Sequence, residues 1–172
     1  MAKRGFLARH GIVQSAIRED ILNFFLPWIV ALCVGVTLCA SDLVRQHGSL
    51  YVLSRQSIVG IALSVIGLTI MIVAQITLWR FYSSTLVIKE DHRLITHGIY
   101  RFTRHPIYLG VIMATIGLSV YASSMYGFFA MLIQFPIFLN RIRIEERLLT
   151  EEFGEEYRGY KMAVNKLIPF IY

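Results

Sequence analysis

The sequence predicts an all-helical integral membrane protein: a compact bundle of about four transmembrane helices, with an N-terminal interfacial helix and a C-terminal cytoplasmic helix. Hydrophobic residues make up 56% of the 172 positions, and the mean hydropathy of +0.59 lies above that of an ordinary soluble domain. Two uncharged runs, residues 21–40 and 57–79, are 20 and 23 residues long. Each is long enough to cross a hydrocarbon core of about 30 Å.

The first 40 residues are predicted to form an interfacial helix followed by the first membrane span. Residues 1–20 place apolar positions among basic ones, which is typical of an amphipathic helix lying in the membrane interface. The run that follows does not fit a signal peptide, because it is too long and lacks a clean small-x-small cleavage site. Cys33 and Cys39 lie six residues apart within that run. This spacing excludes a disulfide between them, so we expect both to serve in packing.

Two shorter apolar runs predict a helical hairpin. Residues 106–121 and 125–139 are 16 and 15 residues long and are separated by Ala122-Ser123-Ser124. Each run covers roughly 22–24 Å as a helix, so crossing requires interfacial help or a locally thin bilayer. A buried soluble hairpin is the alternative. Pro136 releases the carbonyl of Leu132 and is expected to kink the last span, and Gly154 is expected to end its charged continuation.

The distribution of basic residues predicts the topology. The net charge is +6, and with a cytoplasmic N-terminus the four spans place fifteen of the 17 Lys and Arg residues inside. Only Arg45 and Arg55 remain outside, as the positive-inside rule predicts when both termini are cytoplasmic. The basicity is therefore interpreted as a topology signal with attraction to membrane lipids. No nucleic-acid partner and no metal site are predicted, and the oligomeric state is not fixed by the sequence.

A first polar group stands where a basic loop enters the third span. Arg104 and His105 precede Pro106, a residue that favours the first helical turn and leaves nearby backbone donors available to an anion. Tyr100 and Tyr108 flank this site, where phenol rings can contact a planar or cationic group. Taken singly, the arginine also fits a snorkelling anchor and the tyrosines an interfacial aromatic belt.

A second polar group follows the last span. Arg141 and Glu145 are spaced i,i+4, and Glu146 lies beside them. On a surface helix such a pair is usually a weak ion pair. At the end of a membrane span, however, an ionised group requires a partner. A carboxylate here can accept hydrogen bonds from hydroxyl or ammonium groups, and the arginine can hold a substrate carboxylate.

These motifs resemble a known family. The runs LITHGIYRFTRHPIYLG, RIRIEERLLTEEFGEEYRGYK and IPFIY are similar to the C-terminal region of isoprenylcysteine carboxyl methyltransferases, in a wider group with phospholipid methyltransferases. The resemblance covers roughly residues 85–172. It implies that S-adenosyl-L-methionine binds within the membrane bundle, without a soluble Rossmann domain. The whole chain is then one membrane domain, with an interfacial helix at 1–20, a helical pair at 21–84 and a catalytic region at 85–172.

The resemblance also implies roles for individual residues. Arg141 and Glu145 are the expected catalytic residues, with Arg141 on the substrate side. The expected cofactor contacts are His92, Arg93, Leu94, Ile95, Tyr100, His105, Pro106, Ile107, Tyr108 and Glu145. The implied reaction is methyl transfer to a lipophilic or prenylated acceptor, first of all an isoprenylcysteine-type carboxylate, at the cytoplasmic face. Such a transfer requires orientation and desolvation more than a general base.

Two other functions remain open at the level of sequence. Membrane sterol reductases share an Arg-His-x-x-Tyr-like segment, so an NADPH-dependent sterol or isoprenoid reductase is one alternative. The segment from Glu145 to Leu149 favours the methyltransferase group over it. A non-catalytic membrane scaffold is the other alternative, which the intact set of polar residues argues against.

Overall fold

The computed structural model describes residues 21–47, 54–78 and 94–168, and within these ranges every regular element is a helix. A π-helical turn, Ile21–Phe25, leads into the first α-helix. The α-helices are α1 (Leu26–His47), α2 (Arg55–Leu78), α3 (Pro106–Tyr121), α4 (Met125–Leu132), α5 (Gln134–Phe153) and α6 (Glu155–Ala163), with a 3-10 turn at Gly98–Arg101. The predicted helical class is confirmed. The predicted interfacial helix at 1–20 lies outside the described residues.

The apolar helices are those of an integral membrane protein. Leu22–Arg45, Arg55–Leu78 and Met125–Phe153 are long and apolar enough to cross a membrane, and α3 is a shorter apolar helix. The first helix runs about two turns beyond the predicted end at Ala40. Asp42 in this extension accepts a 2.6 Å hydrogen bond from the Ser124 hydroxyl. Because the Asp42 carboxylate has this partner, the helix continues past Asp42, the first charged residue after the predicted end of the span.

Helices α2 and α3 pack antiparallel with their backbones in contact. A Cβ atom placed on Gly60 would lie 2.3 Å from the Tyr121 amide nitrogen, and one on Gly67 would lie 2.5 Å from that of Ala114. Ser64 Oγ donates to the Ala114 carbonyl at 3.1 Å. Small residues permit this approach, which supplies van der Waals contact in a medium without a hydrophobic driving force. Small side chains therefore set the short distance between these two helices.

The hairpin and the helix break also follow the sequence. α3 ends at Tyr121, and α4 begins after Ser124, whose hydroxyl accepts a hydrogen bond from the Gly127 amide. The helix breaks between Leu132 and Gln134, as expected because Pro136 has no amide hydrogen for the Leu132 carbonyl. The last helix then continues to Phe153 as predicted.

The C-terminal part folds back onto the loop before α3. Gly154, at φ 53°, ends α5 in a backbone conformation that favours glycine, and α6 turns back from it. Residues 164–167, termed the return strap, then meet this loop. The Arg104 amide donates to the Asn165 carbonyl at 2.9 Å, and the His105 amide to the Lys166 carbonyl at 3.1 Å. The strap therefore fixes the loop that holds the first polar group.

Candidate active site

The two polar groups predicted from the sequence lie together in the structure. His105 Nδ1 is 3.5 Å from Glu145 Oε2, and His105 Nε2 is 3.4 Å from Glu146 Oε1. The Tyr108 hydroxyl donates to Glu145 Oε1 at 2.5 Å across a separation of 37 residues. The loop before α3, the first turn of α3, α5 and α6 thus contribute to a single charged cluster: Arg104, His105, Tyr108, Arg141, Glu145, Glu146 and Lys161.

Glu145 is the carboxylate of this cluster that a bound molecule can reach. Its side chain is 24% exposed, whereas those of His105 and Arg141 are 6% and 3% exposed. Arg141 Nε lies 3.3 Å from Glu145 Oε1, one helical turn away on α5. The Glu145 carboxylate is therefore oriented by three side chains: Arg141 on α5, and His105 and Tyr108 at the start of α3.

Glu146 makes internal contacts instead. Arg104 donates to Glu146 Oε1 from Nε at 2.9 Å, and its Nη2 lies 2.8 Å from the same oxygen. Lys161 Nζ on α6 is 3.4 Å from Glu146 Oε2, and Arg104 also donates to the carbonyls of Lys161 and Val164. Glu146 thereby ties the loop, α5 and α6 together.

The sequence predicts a binding role for Glu145, but it predicts none for Arg104, Glu146 and Lys161. A usable signal existed for two of these residues. Successive residues of a helix point about 100° apart, so adjacent glutamates face different neighbours. An arginine directly before His-Pro is then a natural partner for the second carboxylate. The position of Lys161 required the return of α6, for which the sequence offered no signal.

The two carboxylates also govern the charge of His105. Burial alone lowers the pKa of this imidazole, but the nearby carboxylates of Glu145 and Glu146 offset that effect and raise the pKa above the ordinary value of 6.5. Burial raises the pKa of Tyr160 to about 12, so this phenol stays neutral. Its hydroxyl donates to the Tyr100 carbonyl at 2.6 Å, which fastens the 3-10 turn to α6.

Five further residues that were predicted as cofactor contacts lie in the described part of the chain, and two lie outside it. Tyr100 is buried in the 3-10 turn and donates to the Ala74 carbonyl at 3.5 Å. Pro106 is buried as the first residue of α3, and three half-buried positions accompany it: Leu94, Ile95 and Ile107. His92 and Arg93 lie outside the described residues.

An aromatic cluster, formed by Phe24, Trp28, Tyr108 and Phe138, adjoins the charged one. The rings of Tyr108 and Phe138 are 5.1 Å apart, and that of Phe24 lies 6.1 Å from Phe138. The Arg141 guanidinium carbon lies 4.6 Å from the centre of the Phe24 ring. No functional role is predicted for Phe24 from the sequence. Its i,i+4 spacing to Trp28 was the one signal that these two rings share a helix face.

The donor set fits a small ligand that has both anionic and hydrogen-bond-donating groups. Three permanent cations, Arg104, Arg141 and Lys161, face two carboxylates, which leaves the cluster favourable for an anion. The N-terminus of α3 adds backbone amide donors beside it, and Glu145 accepts hydrogen bonds from hydroxyl or ammonium groups. The fold and this cluster together define the class of protein: an integral membrane protein with a charged cluster, the candidate site, at one end of its helical bundle.

Comparison with known proteins assigns this architecture to a family. The model of the isoprenylcysteine carboxyl methyltransferase (ICMT) family matches residues 59–151. The chain therefore belongs to the isoprenylcysteine carboxyl methyltransferase family. The match includes α3, α4 and most of α5. It leaves α1, α6 and the return strap outside its limits.

Individual relatives agree with this assignment. A probable protein-S-isoprenylcysteine O-methyltransferase of Oryza sativa subsp. indica is 36% identical over 118 residues, which cover 67% of this chain and 62% of the relative. Methanethiol S-methyltransferase 1 of Bradyrhizobium diazoefficiens is 44% identical over 78 residues, covering 45% of this chain and 27% of the relative. The solved structure of the eukaryotic intramembrane Ras methyltransferase ICMT matches with a TM-score of 0.70 and 25% identity, over 84% of this chain and 53% of that one. The chain thus spans less than two thirds of the length of these relatives.

Proposed function

We propose that this protein is an S-adenosylmethionine-dependent methyltransferase whose acceptor is a lipid-borne carboxylate of the isoprenylcysteine type. The observation that carries the proposal is the partly exposed carboxylate of Glu145, held by Tyr108, His105 and Arg141 at the end of the membrane bundle. Family membership supports a methyl donor. The names of the rice relative and of the matched solved structure support the isoprenylcysteine class of acceptor.

The charged cluster provides the cofactor site in this proposal. Glu145 accepts hydrogen bonds from the ribose hydroxyls or the ammonium group, while His105 and Tyr108 keep the carboxylate in place. The backbone around Tyr100 and the first turn of α3, Pro106 and Ile107 included, forms the cradle, with Leu94 and Ile95 at its border and His92 and Arg93 assigned to it by motif. When bound, S-adenosylmethionine supplies a methyl group already activated on a sulfonium, so an ionised acceptor carboxylate requires no base.

Arg141 binds the acceptor in this proposal. Its side chain is buried next to Glu145 and beside the aromatic cluster, so the aromatic rings would lie near the lipid chain of a carboxylate that the guanidinium binds. Guanidinium groups match carboxylates in geometry and charge. Exclusion of water by the aromatic rings strengthens this attraction, because the local dielectric constant is lower than that of bulk water.

A thiol acceptor is the second candidate, favoured by the 44% identity to a methanethiol methyltransferase. The two acceptor classes differ in their dependence on pH. An acceptor carboxylate with a pKa of about 3.5 is ionised throughout the neutral range, whereas a thiol with a pKa of about 8.5 is not. Above about pH 5, ionisation of a carboxylate acceptor therefore adds no pH dependence to the rate of methyl transfer. With a thiol acceptor, the rate should rise as the pH approaches about 8.5, because the thiolate fraction increases.

The reaction itself provides the test. Purified protein in lipid nanodiscs is incubated with methyl-labelled S-adenosylmethionine and N-acetyl-S-farnesyl-L-cysteine, and the product is analysed by mass spectrometry. We expect a methyl ester that alkali hydrolyses, and no product from the matched carboxamide. The same incubation is repeated with a lipid extract in place of the farnesylated cysteine. A methylated thiol or phospholipid amine as the product would contradict the proposed class of acceptor. Binding of NADPH without binding of S-adenosylmethionine would favour the reductase.

The cytoplasmic orientation is a part of the proposal that the charge asymmetry supports. In a background with Cys33 and Cys39 replaced by serine, Ser54→Cys and Gly159→Cys place single thiols at exposed positions at opposite ends of the bundle. We expect an impermeant maleimide to label the first in intact cells and the second only after permeabilisation. The reverse pattern would place the site on the outer face.

A further inference from the structure

Phe24 contacts the arginine that the proposed function assigns to the acceptor. The Arg141 guanidinium carbon is 4.6 Å from the centre of the Phe24 ring and 5.9 Å from that of Phe25. The guanidinium is 3% exposed, so the contact forms with little water around it. A desolvated cation–π contact of this kind is among the stronger ones. Phe24 is thus a second group, besides Glu145, that fixes the direction in which the guanidinium faces.

The Phe24 ring is itself held from several sides. It lies parallel to Trp28 at 6.2 Å with an angle of 7°, and edge-on to Tyr108 at 6.4 Å with an angle of 89°. Trp28 in turn donates to Gln134 Oε1 at 3.4 Å. The residue is part of the π-helical turn Ile21–Phe25, and π-helical segments occur frequently at functional sites. The ring therefore has a defined orientation.

We infer that Phe24 is a positioning residue for the methyl acceptor, which acts by holding the Arg141 guanidinium toward the acceptor carboxylate. The inference rests on the proposed function of Arg141. Phe24 lies outside residues 59–151, which the family model matches. The π-helical turn before α1 thus completes an acceptor site that this matched segment does not form alone.

The test compares two substitutions at Phe24 with a matched control. Phe24→Leu removes the π face and keeps an apolar side chain, and Phe24→Tyr keeps the ring. Phe129→Leu makes the same change in a ring on α4 that is 57% exposed. We expect Phe24→Leu to raise the acceptor KM about tenfold, which lies within the range of a desolvated cation–π contact. The kcat and the affinity for S-adenosylmethionine should change less than about twofold, with Phe24→Tyr and Phe129→Leu close to the parent.

A double-substitution cycle separates positioning from general stability. If Phe24 acts through Arg141, adding Phe24→Leu to Arg141→Ala should produce no further rise in KM. Independent effects would multiply instead. Multiplying effects, an unchanged KM in Phe24→Leu, or an equal rise in Phe129→Leu would overturn the inference.

The cycle remains decisive if the parent transfers no methyl group to any acceptor. That result contradicts the proposed function, and the same four proteins are then compared by heat unfolding. A smaller loss of Tm from Phe24→Leu in the Arg141→Ala background supports the orienting contact. Equal losses in the two backgrounds overturn it.

Discussion

Helix α3 takes part in two regions that are stabilised by opposite means. Along the membrane it packs against α2 with backbone on backbone, and a Cβ at Gly60 would approach Tyr121 to 2.3 Å. At its N-terminus it enters the charged cluster, where His105 contacts both Glu145 and Glu146. The first region excludes added volume, and the second depends on balanced charge. Volume changes should therefore affect folding, while isosteric changes of charge should affect binding.

The largest effect is expected in the α2–α3 interface. Gly60→Ala places a methyl group against backbone atoms that cannot move independently, so we expect the free energy of unfolding to fall by about 3 kcal/mol. Gly159→Ala is the matched control, since a Cβ there meets nothing within 4 Å. On α6 it should raise stability by about 0.5–1 kcal/mol. Thermal unfolding in detergent measures both changes, and equal effects would contradict the account of this interface.

The next effects separate two residues of the charged cluster. His105→Ala should weaken S-adenosylmethionine binding about tenfold or more, because charged hydrogen bonds contribute about 1.5–3 kcal/mol. Arg141→Ala should spare that affinity and instead raise the acceptor KM or lower kcat. Calorimetry and steady-state kinetics on both variants provide the comparison. If Arg141→Ala loses cofactor affinity as severely as His105→Ala, the division of roles is wrong.

The smallest effect concerns pH. The folded protein raises the pKa of His105 above its ordinary value of 6.5, so the folded state binds this proton more tightly than the unfolded state does. The resulting stability is fully present below pH 6.5 and is lost as the pH rises through the folded-state pKa. The unfolding temperature should therefore fall more between pH 6 and pH 9 in the parent than in His105→Gln. Equal changes in unfolding temperature in the two proteins would mean that Glu145 and Glu146 do not stabilise the protonated imidazole of His105.

The sequence predicted those parts of the fold that depend on local pattern. Apolar runs indicated the spans, Ala122-Ser123-Ser124 indicated the hairpin turn, and Gly154 indicated the end of the last long helix. Each of these features follows from the residues that form it and from the nonpolar environment. The predicted end of the first span is too early, because the partner of Asp42 is Ser124 in the turn between α3 and α4, far from Asp42 in the sequence.

The charged and aromatic clusters could be predicted only in part. The motifs indicated that His105 and Glu145 belong to one site, but not which glutamate faces outward and which ties the loop to α6. That choice depends on the rotation of α5 and on the return of α6, which the helical pattern does not determine. The contact between Phe24 and Arg141 joins distant parts of the chain, and a phenylalanine in an apolar run is ordinarily a packing residue.

One measurement tests the central claim, that the charged cluster binds S-adenosylmethionine through Glu145. The ligand is titrated calorimetrically into the parent, into Glu145→Gln and into Gly159→Ala, and the unfolding temperature of each protein is recorded. Loss of this charge-assisted hydrogen bond should weaken binding by about ten- to a hundredfold in Glu145→Gln, while the protein stays folded. Gly159→Ala should bind as the parent does. Equal affinity in the parent and Glu145→Gln, with both proteins folded, would contradict the claim and leave the cluster as a set of structural ion pairs.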